Sequence, residues 1–250
     1  MIRKLFYIPA ALALIFAIES ISKFSFYLAD LLYPWLSHLD SANAFLYITI
    51  HHIFQGLIAL MFIYIASLLK YISFDDFGLN MNQWKYSIKR VIQFALVWCT
   101  IQLSVGFYMM SNGAVGDLFS FELNVKNYVG YFLFQILLSG TSEELLYRAL
   151  LIGLLIYIGK QVGFSKKTSI TLAIIISLAA FIIGHISYTL FPFAILSYNV
   201  LQLLTVVIFG SFYTFLFIKT KSIFGSMLAH NVLNGVIVLS SLILYLIFRG

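Results

Sequence analysis

Charge is what this chain has least of. Only 10% of its 250 residues are Asp, Glu, Lys or Arg, with nine acids among them, where a soluble domain carries about 25%. Too little charge is present to clothe a water-facing surface, and 62% hydrophobic residues, 18% aromatics and a mean hydropathy of +1.00 point the same way. A soluble globular domain is excluded, and the chain reads as a polytopic membrane protein. Cysteine is nearly absent. The single Cys99 lies in an apolar run, so an intrachain disulfide is excluded and an inert core thiol is expected. Arg3 and Lys4 precede an apolar stretch in the manner of a signal peptide, yet no small-x-small cleavage site follows clearly, so the stretch is read as a retained first span. There is no internal repeat, which counts against a transporter of the repeat type, and no soluble domain is expected at either end.

What is present is a series of apolar runs. At about 20 residues per crossing, residues 5–21, 44–69, 91–110, 127–158, 169–186, 193–218 and 223–248 give seven spans in a single integral-membrane domain, 1–250. The expected fold is an all-α polytopic transmembrane helical bundle. Residues 23–40 read as a weakly amphipathic connection. Residues 70–90 form a polar loop whose second half is expected to lie on the membrane surface as a helix. Residues 111–126 form a second polar loop, and a short turn with Pro192 precedes span six. The net charge of +6 does not indicate nucleic acid, because the basic residues sit in short loops. With the N-terminus in the cytoplasm, eleven of the 15 fall inside: Arg3, Lys4, Lys70, Lys85, Lys89, Arg90, Lys160, Lys166, Lys167, Lys219 and Lys221. Lys23, Lys126 and Arg249 fall outside, and Arg148 lies within the membrane.

Against this background Ser142-Glu143-Glu144-Leu145-Leu146-Tyr147-Arg148 stands out. A charge at the bilayer centre costs roughly 2.5–3.5 kcal/mol on insertion scales, so its presence there is a functional-site hypothesis. Glu144 and Arg148 are four apart and share a helix face. Glu143 points about 100° away from Glu144, so one carboxylate pairs with the arginine while the other faces elsewhere. Two further spans carry polar groups: His185 on span five, and His230 with Asn234 on span seven. Glu143 is 17 residues before Lys160, and His185 is 18 after Lys167, which sets both about 26 Å above the basic turn. His230, nine residues past Lys221, stands roughly 13 Å up by the same rise. Such a cluster suits hydrolysis. A buried glutamate is a competent general base for water, and histidine and asparagine can hold that water, complete a metal site or stabilise an oxyanion. Gly140 and Gly184 would let helices approach closely.

These residues resemble a known family. Glu143-Glu144-x-x-x-Arg148, Phe181-x-x-x-His185 and His230-x-x-x-Asn234 are similar, in order and on separate spans, to the three motifs of the CPBP or Abi family. That family comprises intramembrane proteases related to the CAAX prenyl endopeptidases of the Ras-converting type. The resemblance covers residues 125–240. It implies Glu143 as the base that activates water, Glu144 and Arg148 as a supporting pair, and His185, His230 and Asn234 as groups binding the water or the oxyanion. It leaves open a divalent metal such as zinc, for which Glu143, His185 and His230 would be the ligands, and a metal-independent glutamate mechanism; no His-Glu-x-x-His helix is present. Seven spans are one fewer than the eight implied by the prenyl-protease branch. Tyr147 stands where many relatives carry Phe, and Ala149 where Gly is common.

The expected partners are a peptide or membrane-anchored protein substrate and the lipid bilayer, with no nucleic acid. The expected attack is by water directly, in a cavity opening toward the cytoplasm. The abundance of Ile, Phe and Lys suggests an AT-rich bacterial genome and hence a bacterial cytoplasmic membrane, so the prenyl substrate is not carried over, and processing of exported peptides or bacteriocins is the role the resemblance allows. The rival reading is a non-catalytic membrane scaffold or bacteriocin-immunity protein with the same fold. Of the remaining polar residues, Glu19 is expected to be wetted at a span end, His51 and His52 to pack or lie at the interface, with one of the two as the alternative cavity-lining group, Asn199 and Gln202 to bond between helices, and Ser142 to bond its own backbone.

Overall fold

The computed structural model describes residues 2–69, 71–113, 118–190 and 192–249. Lys70, and Gly116 and Asp117 of the second polar loop, lie outside the described residues. Seven long helices run up and down in turn among those described. After a leading turn, Ile2–Leu5, come α1 (Tyr7–Leu36), α2 (Leu46–Leu68), α3 (Trp84–Ser111), α4 (residues 125–161, in five abutting segments), α5 (Lys166–Ile183), α6 (Val200–Thr220) and α7 (Ile223–Phe248). All but α4 meet the length and hydropathy of a membrane span as single uninterrupted helices.

Side chains fix where several of these helices begin. Asn124, Ser165, Asn199 and Ser222 each accept a hydrogen bond from a backbone N–H of the first turn of α4, α5, α6 and α7, satisfying donors that a helix start leaves free. Asp40 does the same for α2 from six residues before its first residue. Its carboxylate takes the N–H groups of Ala44, Phe45 and Leu46 at 3.0, 2.8 and 2.7 Å.

Three expectations are corrected. The first span and the connection after it are one helix, because neither Gly nor Pro interrupts the chain from Ser20 to Tyr33, and Pro34 enters only at the last turn. Ser20 and Ser25 return their hydroxyls to the carbonyls of Phe16 and Ile21. Thirty residues make about 45 Å of helix, more than the hydrocarbon thickness, so α1 tilts or projects. The expected surface helix before span three is instead the first two turns of α3. Residues 187–197, read as a turn and the start of span six, form an antiparallel hairpin of β1 (Ser187–Leu190) and β2 (Phe193–Ser197), and α6 starts only at Val200.

α4 is the centre of the bundle. All eight residues from Leu145 to Ile152 are buried, and a segment buried on every side must be packed all round. It lies against α2, α5 and α7, with α1 nearby. Two π-helical segments, Gln135–Ser139 and Leu145–Ile152, bracket a single α turn, Gly140–Glu144. Such wide turns are rare and concentrate at functional sites; here the turn between them carries Glu143 and Glu144.

At the end holding the basic turns, residues 71–83 tuck beneath the bundle. Phe77 is fully buried and abuts Gly153. The Ile223 N–H donates to the Gly78 carbonyl at 2.8 Å, and Asn80 Nδ2 donates to the Lys221 carbonyl at 3.1 Å. Gly78 has φ +79° and lies against Phe217, so both its backbone and the space beside it demand glycine.

Candidate active site

Glu144 and Arg148 are both 0% exposed, and Arg148 Nη1 donates to Glu144 Oε1 at 2.9 Å. Removing one partner of such a buried pair leaves an uncompensated charge, and Glu144 Oε2 and Arg148 Nε already lack hydrogen-bond partners. Arg148 gains a second acceptor in the Gly210 carbonyl, 3.3 Å from Nη2, and its guanidinium lies 4.1 Å from the Phe181 ring centroid. Glu144 Oε1 also faces His230 Nδ1 at 2.9 Å. An ionised carboxylate only accepts, so that nitrogen carries the proton and Nε2 is the free one. Tyr213 stacks on the ring, centroids 4.6 Å apart, and holds its plane.

The free nitrogen points at the other carboxylate. His230 Nε2 is 3.8 Å from Glu143 Oε2. From the opposite side His52 Nε2 stands 3.9 Å from Glu143 Oε1. His52 Nδ1 meets Ser142 Oγ at 2.5 Å, and that hydroxyl spends its own proton on the Ser139 carbonyl at 3.2 Å. His52 is therefore the donor to Ser142, and it too turns Nε2 toward Glu143. Neither gap is a direct hydrogen bond, and each is of a length that one water bonded to both groups would span. Glu143 is also the more accessible acid, 18% exposed against none for Glu144.

Small residues permit the approach of the three helices. A Cβ at Gly140 would lie 2.5 Å from His230 Cβ, and one at Gly56 would lie 3.4 Å from Ser142 Cβ. Asn234 donates through Nδ2 to Ser139 Oγ at 3.2 Å and lines the same cavity as His230, which leaves its second N–H available. Asn231 donates to Thr141 Oγ1 at 2.9 Å and ties α7 to α4 a turn away.

Of the six residues singled out in the sequence, Glu143, Glu144, Arg148, His230 and Asn234 come together. The height estimate matched Glu143 with His185 and placed His230 lower; the bundle instead sets His230 beside Glu143. Among the described residues His185 forms neither a hydrogen bond nor an ion pair with Glu143. α5 ends at Ile183, so His185 lies beyond it, with Nδ1 against the Phe181 carbonyl at 2.8 Å. It does line the cavity with His230 and Asn234. Two π segments in α4 change the rise and turn on which the estimate relied.

Sequence reading left open which of His51 and His52 lines the cavity and favoured packing or interfacial placement for both. The signal was a face: His52, Gly56, Ala59 and Ile63 recur at helical spacing, and small residues on it mark a close helix contact. His51, one residue away, stacks on Phe26 with centroids 3.6 Å apart and packs as expected. Glu19 is buried rather than wetted, with Tyr188 Oη 3.5 Å from its carboxylate. Asn199 caps α6 instead of bonding between helices.

No group of three His, Cys, Asp or Glu side chains among the described residues is placed to hold a metal ion, and the histidine set beside Glu143 with His230 is His52 rather than His185. A catalytic zinc asks for three protein ligands converging on one point.

The cavity beside the site has a volume of about 720 Å³ and lies between α3, α6 and α7. It runs from His230 and Asn234 past Ile237 to Ser241 and Leu244, along α7 and away from the basic turns. The sequence reading had it opening at the basic end.

A multi-pass helical bundle with a buried carboxylate–arginine–imidazole network and an accessible second carboxylate defines a membrane protein equipped for acid–base chemistry within the bilayer. Residues 125–236, somewhat under half of the chain, match the family described as type II CAAX prenyl endopeptidase Rce1-like, which is the family the three motifs resemble. All seven motif residues fall inside the match and His52 falls outside it. The match supports an intramembrane endopeptidase. No curated protein and no solved structure matches the chain.

Proposed function

We propose that this protein is an intramembrane endopeptidase that cleaves membrane-associated peptides with a water activated by Glu143. The observation that carries the reading is the Glu143 carboxylate held between the Nε2 atoms of His230 and His52, at 3.8 and 3.9 Å, one oxygen toward each. A water in either gap donates one proton to the carboxylate and the other to an imidazole, leaving its lone pair for a carbonyl carbon. Glu143 takes the proton as the C–O bond forms, and passes it to the amide nitrogen as the C–N bond breaks. The oxyanion falls to Asn234, which lines the cavity and has a second side-chain N–H to donate. Glu144 and Arg148 touch no substrate. They fix the tautomer and plane of His230. Water is the nucleophile throughout, so no acyl-enzyme forms.

The host is proposed to be a bacterial cytoplasmic membrane, and the substrate a peptide or tethered chain rather than a prenylated CAAX protein. The test is cleavage of a membrane-tethered peptide library by the purified protein, wild type beside Glu143→Gln. Cleavage present in the wild type and lost in the variant is expected. Equal cleavage by both would sink the mechanism, and none by either would favour the scaffold reading.

A further inference from the structure

The catalytic cavity is closed toward one end of the bundle and opens toward the other. The cavity ends below at Phe181, Tyr213 and His230, and beyond them, at the basic end, the 71–83 loop closes the bundle. Phe77 fills the space beside Gly153, and Ser222 Oγ and the Ile223 N–H bind the loop backbone at Asn80 and Gly78, at 2.5 and 2.8 Å. α7 enters here, and His230 is its eighth residue. From His230 the cavity follows α7 upward, and at Asn199 and Ser241 it joins a second space of about 1320 Å³. That vestibule is lined by Glu122, Arg249 and both of those polar residues, and below them the cavity carries Gln102, Asn234 and His230 on a mainly apolar wall.

The closed end is the end with the charge. Among the described residues, ten of the 15 basic residues belong to the segments and turns that share it, and cytoplasmic loops are the ones that carry such an excess. We propose that the catalytic cavity is entered from the extracytoplasmic face of the membrane, and that the substrates are peptide segments presented there, on exported or outer-leaflet-tethered chains. The substrate class rests on the peptidase reading above; the direction of access does not.

The two are tested separately in cells expressing the full chain with Cys99→Ser. A membrane-impermeant maleimide is applied to sealed spheroplasts and to inverted vesicles. Asn234→Cys and, as a second position in the same cavity, Gln102→Cys are expected to be labelled in spheroplasts. Lys166→Cys, on an exposed basic turn, is expected to be labelled only in inverted vesicles. Labelling of the cavity positions only in inverted vesicles, or in neither preparation, overturns the proposed access. In parallel, the tethered peptide is supplied to each side of membranes holding the unmodified protein. Cleavage from the spheroplast side, lost with Glu143→Gln, is the expected result, and cleavage from the cytoplasmic side alone overturns the substrate class. Labelling in the expected pattern without cleavage from either side would remove the peptidase reading and leave the access standing.

Discussion

The two halves of this molecule place their polar residues differently. From residue 125 to residue 236, where the family match lies, Glu143, Glu144, Arg148, His230 and Asn234 come together, and the stretch Leu145–Ile152 beside the two acids is buried on all sides. From α1 to α3 the chain is a wall. α3 buries only three residues of its 28, and the buried polar groups of the wall are scattered. Yet His52, which brackets Glu143, comes from the wall. Chemistry concentrated in one half is completed by a side chain from the other, so the matched segment alone does not contain the whole site.

The sharpest way to break this comparison is to remove the base. Glu143→Gln is expected to lower the cleavage rate by roughly 10²–10⁴-fold, the usual worth of a general base, with the fold intact by circular dichroism. Arg148→Met tests the buried network of the same half. It leaves the Glu144 carboxylate buried without its cation, and a loss of about 3–5 kcal/mol is expected in detergent unfolding; adding Glu144→Gln should restore much of it. A smaller effect is expected in the wall. His52→Asn should cost up to about 10²-fold in cleavage through misplacement of Glu143 and its water, while His51→Asn, beside it in sequence, leaves the rate near wild type. If the two behave alike, the wall contributes packing only.

Asp40 sits in the wall outside the spans and supplies a purely structural contrast. Burial pushes its pKa up, but three backbone N–H groups and nearby Lys126 outweigh that, so its carboxyl titrates below the ordinary carboxylate value. Its stabilisation is therefore complete above the ordinary value near about 3.9 and is lost as pH falls through the lower folded one. Thermal unfolding followed from neutral pH downward should show this loss in wild type and a flatter profile in Asp40→Asn, with Asp40→Ala less stable by about 1 kcal/mol at neutral pH. The smallest expected effect is that of a chelator, which should leave cleavage unchanged, since the side chains around Glu143 do not form a three-ligand metal set.

Much of this could be read in advance. Spans two and seven fall where hydropathy put them to within two residues, and the Glu144–Arg148 pair follows from helical spacing, because membrane length and a 3.6-residue turn are local quantities. The breadth of α1 was less legible. Its second half is more polar than a span, yet nothing in it stops a helix. The hairpin at 187–197 looked like span because its residues are apolar, and hydropathy does not distinguish a strand from a helix.

The sequence by itself determined that the chain crosses the membrane, which groups it keeps there at a cost, and that Glu143 and Glu144 face different ways. Those facts depend on composition and on neighbours within one helix. Only the tertiary structure decided that His230 rather than His185 stands beside Glu143, that His52 completes the pair, and that the cavity leads away from the basic turns. Each of these depends on how helices distant in sequence are set against one another. Two π segments and a few glycines fix that offset, and no count along a single chain contains it.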